Sequence, residues 1–60
     1  MNWAWRRVTP KVYALDETWS VVEESPGQWR VYRGNAAMHE SHQRVEKAMA
    51  EAEYRKRLTP

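Results

Sequence analysis

Short runs of alternating apolar and polar side chains, broken by turn residues, fill the first two thirds of the chain, and one helix-period segment fills the rest. In Thr18 to Arg33, TWSVVEESPGQWRVYR, two such runs flank Ser25-Pro26-Gly27-Gln28, where Pro presets φ and Gly permits a positive φ. The stretch reads as a hairpin with arms over 18–24 and 29–33, and it carries two of the four tryptophans. A three-residue loop, Pro26 to Gln28, sets Glu24 opposite Arg30 and Val22 opposite Tyr32, with Trp19, Val21, Trp29 and Val31 on one face. A loop of two or four residues reverses that parity. The odd loop is the expectation, because it gathers the bulky residues on one face and opposite charges on the other.

Upstream, Trp3, Trp5 and Arg7 alternate with Ala4, Arg6 and Val8, predicting a strand over 3–8 that Pro10 ends for want of an amide proton. Val12 to Leu15 is a second short strand, with Tyr13 and Leu15 on one face and Val12 and Ala14 on the other. Gly34-Asn35 turns the chain again, and a last strand over 36–39 carries Met38, unless the helix already starts at Asn35. Ser41 is placed to cap a helix over 42–57. Its Val45, Ala48, Met49 and Ala52 form a buried i, i+3, i+4, i+7 stripe, while Arg44, Glu46, Lys47, Glu51, Glu53 and Arg55 stay wet. The pattern predicts one α+β domain over 1–60: an antiparallel meander of three to five short strands with one C-terminal helix on one face. That helix covers one face only. Val8, Val12, Ala14, Val22 and Tyr32, set among Arg6, Ser20 and Arg30, then face a protein partner or a second copy of the chain.

Composition narrows the function classes. Sixty residues bury little, so four Trp and three Tyr must supply most of the core where Phe is absent. Without Cys there is no disulfide and no thiolate metal site. Ten basic and eight acidic side chains leave a net charge of +2, with no basic block beyond Arg55, Lys56 and Arg57, which suit a helix C-terminus. No apolar run matches a signal peptide or a membrane span, so a cytoplasmic protein without membrane contact is expected.

Candidate chemistry is sparse. His39 and His42, with Glu40 and Glu46 nearby, have neither zinc-protease spacing nor a further ligand, so no metal or other cofactor is expected. Glu23 and Glu24 are adjacent, and on a strand they point to opposite faces and cannot share a proton. No nucleophile, base and orienting carboxylate fall into a workable spacing, so the chain reads as a non-enzyme without a small-molecule substrate. Arg6, Arg7, Arg30 and Arg33, interleaved with Trp5, Trp29 and Tyr32, offer an alternative, a stacking and cationic sheet face that binds nucleic acid through Arg6, Arg30 and Arg33.

The run W-R-V-Y-R-G from Trp29, then A-A-M-H-E-S, then R-V-E-K-A-M-A-E-A-E, resembles the strand, strand and alanine-rich helix ending of short phage and prophage domains. Among these are the arm-binding N-terminal domains of tyrosine recombinases (integrases). The resemblance covers the second half of the chain and implies a mobile-element origin, with Arg30 and Tyr32 on any DNA-binding sheet. His39, Glu40 and His42 stand where those domains carry more Lys and Arg. Small cysteine-free phage proteins also include inhibitors of host defence such as anti-CRISPR proteins, which cover a surface of a larger complex. The expected function is therefore a protein-binding inhibitor or regulator, with Val12, Val22, Tyr32, Arg6 and Arg30 meeting the partner.

Overall fold

The computed structural model describes residues 5–59. Strands β1 (Arg6–Thr9), β2 (Val12–Ala14), β3 (Trp19–Ser25), β4 (Gln28–Arg33) and β5 (Ala36–His42) form one antiparallel sheet in chain order. Helix α1 (Val45–Leu58) lies across β3, β4 and β5 on one face. This is the expected α+β meander. Trp3 and Ala4 of the expected first strand lie outside the described residues, and Trp5 immediately precedes β1.

The central hairpin has a shorter loop than expected. Ser25 pairs with Gln28, so only Pro26 and Gly27 turn the chain, and Gly27 takes φ 75°, the left-handed value a type II turn needs at that position. A two-residue loop alone would reverse the faces. The bulge at Glu24, between the Glu23↔Trp29 and Ser25↔Gln28 pairs, adds one residue and restores the parity. The expected face therefore survives with different partners: Val22 lies opposite Arg30, and Ser20 opposite Tyr32. The turn holds because the Gly27 N–H donates to a Glu23 carboxylate oxygen at 3.2 Å and the Ser25 hydroxyl to the Gln28 side-chain oxygen at 2.8 Å.

Trp19, Val21, Trp29 and Val31 form the core with Ala48 and Ala52 of α1, all buried. The two alanines let the helix backbone approach the sheet closely while the tryptophans fill the space beside it. Tyr13 reaches across β3 to Trp29, with ring centroids 5.9 Å apart and planes tilted by 56°.

The last strand and the helix exchange residues relative to expectation. Ser41 pairs with Arg30 and His42 with Trp29, so both belong to β5, and Ser41 caps nothing. The ladder wins because pairing with Arg30 and Trp29 carries the sheet through His42, and Gln43 and Arg44 then lead into the apolar stripe that begins at Val45. Arg44 stands at the N-cap in an extended conformation with no side-chain cap bond.

Three side chains expected in water are also engaged. Glu51, with a side chain only 11 % exposed, takes hydrogen bonds from Arg55 Nε at 2.5 Å and shares one with His42 Nε2 at 2.6 Å. Glu53 accepts the Trp5 indole N–H at 2.7 Å.

Candidate protein-binding face

Strand pairing assigns each face without ambiguity. Arg6↔Ala14, Ala14↔Ser20, Ser20↔Tyr32 and Tyr32↔Ala37 form one row across the sheet. Val12↔Val22, Val22↔Arg30 and Arg30↔Ser41 form the row beside it. The alternate row, Arg7, Tyr13, Val21 and Val31, includes the core valines beneath the helix, so the first two rows occupy the opposite, open face. All five residues expected to meet a partner, Arg6, Val12, Val22, Arg30 and Tyr32, are therefore brought to one surface. Val12, Val22, Arg30 and Tyr32 are half-buried by their strand neighbours, and Arg6 is exposed.

The β4 side of this face is a polar bracket. The bulged Glu24 accepts the Tyr32 hydroxyl at 2.5 Å on one carboxylate oxygen and Arg30 Nε at 2.6 Å on the other. Arg30 Nη1 donates to the carbonyls of Met38 at 2.8 Å and His39 at 2.7 Å. These carbonyls sit where the β4–β5 register slips between Arg30 and Tyr32. Arg30 thus satisfies backbone acceptors that the slip removes from the ladder. Glu24 is held below its usual carboxylate range by the Tyr32 hydroxyl and then by Arg30, and the same contact pushes the Tyr32 phenol up. The β2–β3 side is small and apolar, with Val12, Ala14 and Val22.

Arg33 does not join this face. It lies opposite Trp19 on the helix side, its guanidinium 5.6 Å from the centre of that ring. The arginines of the nucleic-acid alternative are consequently divided, Arg6 and Arg30 on one face and Arg33 on the other, and Arg30 is already committed to Glu24 and two carbonyls.

His42 bonds to Glu51 of α1 while His39 is exposed, and among the described residues no cluster of three or more metal-ligating side chains occurs. Sequence reasoning missed two surface features. Tyr54 and Leu58, one turn apart on the outer side of α1, are 59 % and 66 % exposed. Their i, i+4 spacing was readable, but it falls outside the stripe that includes Ala48 and Ala52. The bracket was also missed, because its geometry depends on the bulge. Among the described residues no helix is long and apolar enough to cross a membrane. Compared with protein-family models, curated proteins and solved structures, the chain matches none, so its own residues carry the functional reading.

Proposed function

We propose that the chain is a non-enzymatic protein-binding module that docks on a larger partner through the open face of its sheet. The observation that carries this reading is the juxtaposition on that face of a small apolar patch, Val12, Ala14 and Val22, with Tyr32 and Arg30 fixed by Glu24. Tyr and Arg are the residue types that dominate binding energy at interfaces, and immobilising them beforehand lowers the entropy cost of docking. The apolar patch supplies area that no element among the described residues covers. The more specific form of the proposal, an inhibitor or regulator from a mobile element that blocks a surface of a host complex in the anti-CRISPR manner, follows from the resemblance of the second half of the chain to short phage domains.

The test is affinity capture with the tagged chain, repeated with Val22→Glu on the open face and Tyr54→Glu on the outer side of the helix. A protein retained by the parent and Tyr54→Glu but lost with Val22→Glu supports the proposal, provided both variants keep the parent circular dichroism. Retention by both variants, or recovery of nucleic acid alone in a salt-sensitive manner, overturns it.

A further inference from the structure

On the helix side of the sheet, where α1 ends, a cavity of about 310 Å³ is lined by Asp16, Thr18, Trp19, Arg33, Lys56 and Thr59. The connection between β2 and β3, the end of β4 and the end of α1 meet around it. None of the six residues belongs to the open face.

The charges in this cavity are unevenly settled. Asp16 has both carboxylate oxygens engaged: Oδ1 accepts the N–H groups of Thr18 at 2.8 Å and Trp19 at 2.7 Å, and Oδ2 accepts Lys56 Nζ at 2.7 Å. Arg33 is different. Its guanidinium lies 5.6 Å from the centre of the Trp19 ring, and among the described residues its side chain makes no ion pair and no hydrogen bond.

Trp19 is itself buried in the core, so the ring is a fixed platform. A guanidinium carries five N–H donors in its own plane, and two of them match two oxygens of a carboxylate or a phosphate at once. Holding it over a fixed ring reduces the rotamer freedom lost when an anion binds. The Thr18 hydroxyl, also without a hydrogen bond among the described residues, brings a further donor to the same cavity. The negative end of α1 is blunted here. Thr59 donates its N–H to the carbonyls of Arg55 at 3.1 Å and Lys56 at 3.2 Å, and its hydroxyl to Arg55 at 2.9 Å.

We propose that this cavity binds a tetrahedral oxyanion of the phosphate class, with Arg33 donating to two of its oxygens and the Thr18 hydroxyl to a third. The fork of Arg33 uses both oxygens of a carboxylate; a phosphate has another oxygen to offer Thr18. Free inorganic phosphate and a phosphomonoester share this chemistry.

Titration of the full chain with inorganic phosphate, phosphoserine or acetate, followed by NMR at constant ionic strength with chloride as the balancing anion, tests the proposal. Expected are saturable shifts at Thr18, Trp19 and the Arg33 side chain with one or both phosphates, and weaker binding of acetate. The tighter of the two phosphates identifies the source, ester or free ion, and either supports the site. Arg33→Gln should weaken binding by about tenfold, and Arg33→Lys, which keeps the charge but loses the fork, by roughly threefold. Lys47→Gln, the same loss of charge on the exposed side of α1, leaves binding unchanged, and so does Val22→Glu on the open face, so this proposal and the docking reading fail separately. Were Arg33→Gln to unfold, Arg33→Lys decides. No saturation at tens of millimolar phosphate, equal binding of acetate, parent affinity in both Arg33 variants, or an equal loss in Lys47→Gln overturns the proposal.

Discussion

Arg30 has the most structural obligations of any residue on the open face. Its removal strands a carboxylate and two carbonyls together. Arg30→Ala is expected to lower the urea midpoint more than Arg33→Ala, which loses its contact with Trp19 alone. Equal losses would show that the carbonyl contacts contribute nothing. The carboxylates give a second measurement at this scale. Asp16 is held below its ordinary value chiefly by Lys56, at 2.7 Å, and further by the N–H groups of Trp19 and Thr18, against the opposing effect of burial. At Glu51 burial pushes the carboxyl up, but the contacts with His42 and Arg55 outweigh it and the group also ends low. Both folded-state values lie below the unfolded ones, so this stability is fully present above about pH 4.5 and is lost as the pH falls through the folded values. Thermal midpoints should therefore drop on acidification below about pH 4.5, and Asp16→Asn should flatten part of that drop. At the residue scale the sequence was legible for burial type and silent on partners. Trp19, Val21, Trp29 and Val31 declared themselves by period, whereas nothing about Glu24 indicated that a bulge would aim it at both Tyr32 and Arg30.

The elements show where pattern reasoning holds and where it stops. Pro26-Gly27 marked the turn, but a count of loop residues could not include a bulge two positions upstream, because a bulge is a property of the paired strands. The boundary between β5 and α1 was misplaced for a related reason. Ser41 suits a cap by residue type, yet its place in the ladder opposite Arg30 decides the matter. The helix consequently starts at Val45 with Arg44 at an N-cap that makes no side-chain bond. Arg44→Ser supplies the missing acceptor and is expected to raise stability by about 0.5–1 kcal/mol in denaturant unfolding, the exposed Arg44–Glu46 pair at 3.5 Å being a minor loss. No gain would mean that the first turn of α1 is already satisfied by other groups.

At the scale of the molecule, six buried residues among those described hold two layers together, and a domain of this size has only a few kcal/mol of net stability. Trp29→Ala removes about 3–5 kcal/mol, comparable with the whole, so the variant should be unfolded at room temperature by circular dichroism. A cooperative transition near the parent midpoint would show that the core lies elsewhere.

Among the described residues α1 approaches β3, β4 and β5, but its backbone does not approach β1 or β2. Among the described residues the first hairpin is joined to the rest through the β2–β3 ladder, the packing of Trp5, Tyr13 and Leu15 against the core, and the Trp5–Glu53 hydrogen bond. With no helix backbone over it, this hairpin is expected to open before β3 to α1 does. Native-state hydrogen exchange should find amides of 6–9 released at lower free energy than those of Val21 and Val31, and Trp5→Phe should widen the gap. Uniform protection across the sheet would refute this. Each opening takes Val12 off the open face and bares the outer edge of β3, so the population of the opened form sets how often this small sheet is exposed to misassembly.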